Sequence, residues 1–323
     1  MKKFWSCLVV FALGAVTLEA FAFTPQRAEC IAPAGLGGAW DFTCRAVVRT
    51  MLDLGLVPQV STTNLAGNGG GVAFSSVVSS RMTDANLIVT ASTSTTLRLA
   101  QHQFGPYSEN DVRWLAAIAA DYGVITVSRA APWSTLEALL RALRTNPEKI
   151  VFGGGSAVGG QDHMKVLVLA RAAGIDPKRI RYQAFDGGGQ ALKALLQGIV
   201  QVFPGDASEV GTQLQAGKIR ALAVQSPRRL SGVFARVPTV KELGFDAEWV
   251  IWRGFFVPKN MPSNAYDFWV NALRRVERSS EWASLRQQHH LGQFWMSGPE
   301  FEVFIGRQVQ TMRELSKEFG LMP

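Results

Sequence analysis

The chain has 323 residues, 47% of them hydrophobic and 18% charged, with a formal net charge of +8. That length exceeds one small core and suits two compact lobes, and the apolar share excludes a disordered chain. The positive charges are scattered, with no basic stripe interleaved with aromatics, which argues against nucleic acid as a partner and reads as a solvated surface.

Lys2 and Lys3 precede an apolar run from Phe4 to Leu18, and Ala20-Phe21-Ala22 follows. This is the pattern of a secretory signal peptide over residues 1–22, with cleavage expected after Ala22. The run is short for a membrane anchor and ends at Glu19. Cleavage removes two lysines and one glutamate, so the net charge falls by one, from +8 to +7. The mature protein is expected to be exported to the periplasm. Cys30 and Cys44 survive cleavage and are a candidate disulfide in an oxidising compartment. Cys30 would end a strand and Cys44 would lie in the first turns of the next helix. Neither belongs to a C-x-x-C pair, which argues against a redox or zinc motif.

From residue 28 the chain alternates β-rich runs with amphipathic ones. AECIA (28–32) predicts a strand, and Trp40 to Leu54 a helix with Val47, Val48, Met51 and Leu52 at helical spacing. VPQVSTT (57–63) predicts a strand, Gly71 to Ser80 a helix, and NLIVTAS (86–92) a strand. WLAAIAA and YGVITVS, within 114–128, predict two strands. Ser134 is expected to cap a helix carrying Leu136, Leu139, Leu140 and Leu143. KIVFG (149–153), RIRYQAF (179–185), IVQVFPG and IRALAVQ are further strands. Helices are expected from Asp162 to Ala173 and along Leu192, Leu195, Leu196 and Ile199. WVIWRGFFVP (249–258) is a long aromatic strand, and Phe301, Phe304, Ile305, Val309, Met312, Leu315 and Phe319 form the apolar stripe of a terminal helix, a core-packing face. The alternation means an α/β fold with largely parallel sheets, in two series that suggest two lobes.

Four glycine-rich loops each follow a strand and open a helix: PAGLGGAWD (33–41), NLAGNGGG (64–71), GGGSAVGG (153–160) and FDGGGQ (185–190). Ligands of open α/β sheets bind beyond the carboxyl ends of the strands. Helix N-termini there present free N–H groups and partial positive charge, and glycine lets the backbone approach a ligand closely. One helix N-terminus contributes only ~0.3–1 kcal/mol to an anion, whereas a micromolar ligand needs ~8 kcal/mol. One loop is therefore not enough, whereas two facing sets with good hydrogen bonds suffice, and two loops lie in each half of the chain.

Other chemistries fail on the letters. A P-loop needs lysine after its second glycine, and Gly160 stands there after Gly154 and Gly159. A dinucleotide fingerprint fails at Val158, Trp40 and Val72, the third glycine positions of the three candidates. A nucleophile elbow around Ser156 fails at Val158. Adjacent Asp162 and His163 point in different directions on a helix, so Asp162 is read as a cap or a complement to the helix N-terminus. His102, His163, His289 and His290 form no metal-ligand spacing. No cofactor and no metal are expected.

ECIAPAGLGGAWDFTCR resembles the first signature of the tripartite tricarboxylate transporter receptors, the Bug-type extracytoplasmic solute-binding proteins. The resemblance continues through NLAGNGGG, GGGSAVGGQDHM, YQAFDGGGQALKALLQG, AGKIRALAVQSPRR, VPTVKELGF and WRGFFVPKNMP, in the family's order, from about residue 28 to 262. It implies a two-lobed periplasmic binding protein of the Venus-flytrap type, with two mostly parallel sheets and a hinge. It also implies capture of an organic carboxylate, with citrate or a related tri- or dicarboxylate expected from the first-loop variant, and delivery to a membrane permease. The lobes implied are 23–125 with 250–323, and 126–249.

By the same resemblance the first-lobe ligand contacts are Ala34, Gly35, Leu36, Gly37, Gly38, Trp40, Asn64, Gly67, Asn68, Gly69, Gly70, Thr90, Ser92 and Thr93. Those of the second lobe are Gly155, Ser156, Gly159, Asp162, Phe185, Gly187, Gly188 and Asp206. Ala39 and Asn68 depart from the family's usual residues. Asp206 is read as accepting a ligand hydroxyl or capping a helix, and Arg253 as lining the cleft or anchoring a hinge strand. A monomer is expected. Two alternatives remain open: a ligand-presenting sensor for a membrane histidine kinase, and a serine hydrolase using Ser156.

Overall fold

The computed structural model describes residues 23–322; residues 1–22, the expected signal peptide, lie outside them. The first half runs β1 (Ala28–Ala32), α1 (Ala39–Asp53), β2 (Val60–Asn64), α2 (Gly71–Ser80), β3 (Leu87–Ser92), α3 (Thr93–Ala100) and β4 (Val112–Ser128). The second series runs α4 (Leu136–Thr145), β5 (Val151–Gly154), α5 (Gln161–Ala172), β6 (Arg181–Ala184), α6 (Gly188–Leu196), β7 (Val202–Asp206), α7 (Ala207–Gln215) and β8 (Ile219–Val224). The chain closes with β9 (Val250–Pro258), α8 (Ser263–Glu277), α9 (Ser280–Gln288), β10 (Met296–Ser297) and α10 (Gly298–Glu318).

The strand order is β2-β1-β3-β9-β4-β7-β5-β6, with β10 and β8 also pairing with β4. β1, β2 and β3 are mutually parallel, as are β5, β6 and β7, while β4 and β9 run antiparallel to their neighbours. The result is an α/β fold of two mixed sheets joined through one strand. β4 pairs with β9 up to Tyr122 and with β7 from Gly123 onward. Ser92 at the end of β3 pairs with Arg253, and Asp206 at the end of β7 pairs with Gly123. The carboxyl ends of both parallel sets therefore point at this crossing, which places all four glycine loops around it.

Residues 114–128 form one strand and not two. The 17-residue β4 passes through with register shifts between Trp114 and Ala116 and between Ala117 and Ala119. The polar Asp121, which reads as a break, is fully buried and paired with Arg253. At Gly123 a Cβ would stand 2.5 Å from the Gln225 side-chain oxygen, so the crossing admits no larger residue.

Helix boundaries carry two further corrections and decide one open reading. Thr135, not Ser134, caps α4, its hydroxyl accepting the Ala138 N–H. Gly160 is the N-cap of α5 and Asp162 lies in its first turn, so Asp162 complements the helix N-terminus and does not cap it. Ile199 lies beyond the end of α6 and is 55% exposed, because the chain turns at Gln197–Gly198 before the periodicity completes. The stripe of α10 does pack as expected: Phe301, Ile305, Val309 and Met312 are buried. Phe301 meets Trp114 and Trp252 edge-on, joining α10 to the two long strands; such pairs add to the burial of their rings. Cys30 and Cys44 form a disulfide that ties β1 to α1.

Candidate functional site: four glycine loops and a buried ion chain

The four helices that follow the glycine loops share a feature. α1, α2, α5 and α6 have glycine at the N-cap (Gly38, Gly70, Gly160 and Gly187) and no cap bond from that residue's side chain. By contrast, Ser92, Thr135 and Ser279 cap α3, α4 and α9 with their hydroxyls. Glycine at these N-caps offers the first-turn N–H groups no side-chain acceptor of its own; at α5 Ser156 takes the Asp162 N–H, and at α2 the Gly67 carbonyl takes that of Val72.

In the first loop, the Gly37 N–H donates to Asp41 at 2.9 Å. Arg45 and Asn64 donate to the other Asp41 oxygen, each at 2.8 Å. Burial would raise the Asp41 carboxyl, but Gly37, Asn64 and Arg45 together hold it below the usual aspartate range. Asn64 also donates to the Ala34 carbonyl at 3.0 Å, so its amide braces the loop. The Trp40 indole donates to Ser92 at 3.1 Å. At Gly70, with φ +98°, a Cβ would lie 3.3 Å from that indole. Trp40 thus binds together the loop after β1, the loop after β2 and the end of β3. Leu36, at the tip, is 78% exposed.

Other candidates of the first half bond to neighbouring backbone, Thr90 and Thr93 inside the fold and Asn68 at its surface. Thr90 is fully buried and donates to the Ile31 carbonyl at 3.2 Å. Thr93 donates to the Val250 carbonyl and accepts from the Trp252 N–H. Asn68 turns its amide to the Gln103 carbonyl, 2.9 Å away.

In the second series, the Gly155 N–H donates to Asp162 at 2.7 Å, repeating the Gly37–Asp41 arrangement. Ser156 accepts the Asp162 N–H at 3.0 Å, and Tyr182 donates to the Ser156 carbonyl at 2.8 Å. His163 accepts the Gly159 N–H on Nδ1 and stacks on Tyr182; burial pulls its pKa down to about 4. Ser156 is held by the Asp162 backbone N–H, the Asp162 carboxylate by Gly155 and Lys165, and His163 by Gly159, so no side-chain relay links the three. The loops touch directly: a Cβ on Gly155 would stand 2.1 Å from the Gly188 nitrogen, and the Phe185 N–H donates to the Gly154 carbonyl. Val158, at the tip, is 60% exposed, like Leu36 on the other loop. The Gly159 carbonyl accepts from Gln101 of α3 at 2.8 Å, so the second-series loop reaches the first-series elements.

A buried ion chain runs beneath the loops. Lys165 Nζ donates to Asp162, to the Pro204 carbonyl and to Asp206. Asp206 is the N-cap of α7 and lies 4.0 Å from Arg253. Arg253 donates to Asp121, to the Ala39 carbonyl at 3.1 Å and to Ser208 at 3.2 Å. Arg253 is 3% exposed, so it anchors the crossing. Glu209 accepts the Asp206 N–H, and a Cβ on Gly188 would stand 2.2 Å from its carboxylate. Burial pushes Asp206 up to about 6, with Asp121 and Asp162 adding to the rise against Lys165 and Arg253. Burial, then Asp206 and Asp162, push Glu209 up to about 8. Burial opposes the charge of Lys165, but Asp162, Asp206 and Glu209 raise it well above the usual lysine range.

Lys165, Glu209, Asp121 and Gln101 belong to no motif in the sequence. Lys165 had a local signal, a single cation in the apolar run HMKVLVLA. Arg98 had none. It lies under Gly69, where a Cβ would be 3.2 Å from Nε, and its donors reach only Gln101 and Gln103. Among the described residues no carboxylate pairs with it. It is a guanidinium with unneutralised charge beside the second glycine loop, its pKa lowered by burial.

The family model described as "Tripartite tricarboxylate transporter family receptor" matches residues 46–321. Protein BugT of Bordetella pertussis is 26% identical over 249 residues, covering 76% of this chain and 74% of that protein. Among solved structures, an adipate-bound protein of R. palustris superposes with a TM-score of 0.82 at 20% identity, covering 93% of this chain and 99% of that one. MatC from Rhodopseudomonas palustris, with bound malate, superposes with a TM-score of 0.78 at 19% identity, covering 90% and 99%. The matched span, most of the chain, shows that it belongs to the tripartite tricarboxylate transporter receptor family.

Proposed function

We propose that this protein is a periplasmic solute-binding protein that captures an organic carboxylate between its lobes and delivers it to a tripartite tricarboxylate transporter permease. The observation that carries the reading is the set of four glycine N-caps, none with a side-chain cap, on helices that start around one crossing. Lobe one is residues 23–125 with 250–323, and lobe two is 126–249. The ligand carboxylate is held by backbone N–H groups of the loops at Ala34–Trp40, Gly67–Gly70, Gly155–Gly159 and Phe185–Gly188. Ser92, Ser156 and Asp206 lie at its margins. Gly37 and Gly155 already donate to Asp41 and Asp162; their role is to shape the loops, and the ligand takes neighbouring donors. Exposed Leu36 and Val158 cover the ligand's carbon chain on closure. Arg98 supplies the long-range attraction that helix termini alone lack.

The ligand class is di- or tricarboxylate. Malate and adipate occupy the two structural relatives, and citrate is the third candidate. The test is a thermal-shift screen of residues 23–323 against malate, adipate, citrate and neutral sugars. At 100 times Kd a true ligand adds ~2.7 kcal/mol, a rise of several degrees. A shift with sugars and none with carboxylates contradicts the reading. Ester turnover by the wild type that is lost in Ser156→Ala would support a hydrolase instead.

A further inference from the structure

We infer that the back of the crossing carries a second anion site, built from arginines and separate from the glycine loops. A cavity of about 440 Å³ is lined by the segment Ser226–Ser231 after β8, by Arg286, Gln287 and His290–Gly292 at the end of α9, and by Tyr122 of β4. It adjoins β8 and the Ala120–Gly292 bridge, whereas the glycine loops leave β1, β2, β5 and β6 on the other side of β4.

The lining holds Arg228, Arg229 and Arg286 and no carboxylate. Arg229 pairs with Glu242, a residue outside the lining. Among the described residues, Arg228 and Arg286 have no ion pair, and Arg286 Nε is buried without a hydrogen-bond partner. Ser226 folds the segment by donating to the Arg228 carbonyl at 2.6 Å. Burial raises the Tyr122 phenol, with Asp121 adding to it, so the hydroxyl keeps its proton and can donate. Like charges brought to one cavity without neutralising partners repel, and an oxyanion that accepts from two forks relieves them. The volume suits a small molecule. The fitting occupant is a compact oxyanion of two or more charges, either inorganic phosphate or a second polycarboxylate.

The site spans the hinge. His290, held at φ +56°, packs edge-on against Phe234 at 5.2 Å and lies against Gly211 of α7, where a Cβ would stand 2.3 Å from its ring. The segment 286–292 therefore meets the second series at this cavity, and an occupant touches both sides of the crossing. Occupancy is coupled to closure of the front cleft, a coupling that rests on the two-lobed capture proposed above.

The experiment is titration of residues 23–323 with inorganic phosphate, followed by calorimetry and by phosphorus NMR line width. Wild type, Arg228→Gln, Arg286→Gln and Trp40→Ala are compared. Loss of one charge-assisted fork is expected to weaken phosphate about tenfold or more in each arginine variant, and to leave Trp40→Ala unchanged. Phosphate affinity should fall with ionic strength. A polycarboxylate that competes with phosphate in Trp40→Ala identifies the carboxylate source; one that does not leaves phosphate as the occupant. If phosphate fails to broaden in wild type, or binds the arginine variants equally, the site does not exist. If Trp40→Ala alone loses phosphate, the anion sits in the front cleft and the inference is overturned. Phosphate binding without any change in carboxylate affinity removes the coupling but not the site.

Discussion

Glu209 and His163 carry opposed proton linkages within one lobe. The Glu209 carboxyl, pushed from 4.5 up to about 8, keeps a proton in the fold that the unfolded chain releases. Its contribution is complete below about 4.5 and is lost as pH rises through about 8. Asp206, raised from 3.8 to about 6, acts in the same direction over a lower window. His163, lowered from 6.5 to about 4, excludes a proton that the unfolded chain accepts, so stability falls as pH drops through that range. Above pH 6.5 the glutamate dominates, and Glu209→Gln, which mimics the protonated form, is expected to flatten the decline in Tm toward pH 8. His163→Gln is expected to flatten the acid-side loss. Melting curves across pH 4 to 9 check both, and an unchanged alkaline slope in Glu209→Gln contradicts the assignment. The ion chain beside Glu209 was hard to read from sequence because its links are distant: Lys165 meets Asp206 across 41 positions, and Arg253 meets Asp121 across 132.

Elements built from local signals were legible. The glycine loops, the strands that precede them and the stripe of α10 follow from spacing and turn chemistry alone. β4 was not legible as one strand, because Asp121 breaks the apolar pattern and its partner Arg253 is far along the chain. Among the loops, some glycines are required by neighbours and others are not. Gly155→Ala would drive a Cβ into the Gly188 backbone, whereas Gly35→Ala meets nothing within 4 Å. Overpacking typically costs ~1–3 kcal/mol. Chemical denaturation should show that loss for Gly155→Ala and none for Gly35→Ala; equal stability would mean that loops three and four do not touch. The Cys30–Cys44 bridge closes a 14-residue separation. Cys30→Ser with Cys44→Ser should lower stability by ~3 kcal/mol in the chain-entropy picture, and an unchanged denaturation midpoint would show that the bridge does not form in solution.

At the scale of the whole molecule, two mixed sheets share one long strand, and the glycine-capped helices of both start around the point where that strand crosses. The buried chain from Asp162 through Lys165, Asp206 and Arg253 to Asp121 runs across the same point. Removing one partner of such a buried pair costs ~3–5 kcal/mol, so these ion pairs fix the geometry of the crossing. The central claim is that the four loops hold a carboxylate. Calorimetric titration of residues 23–323 with malate, adipate and citrate, for wild type and for Trp40→Ala, tests it most directly. One carboxylate is expected to bind wild type with micromolar or tighter Kd. Trp40→Ala, which unties three loop segments at once, is expected to bind it at least tenfold more weakly. Absence of binding by every carboxylate, or equal affinity in the two proteins, would contradict it.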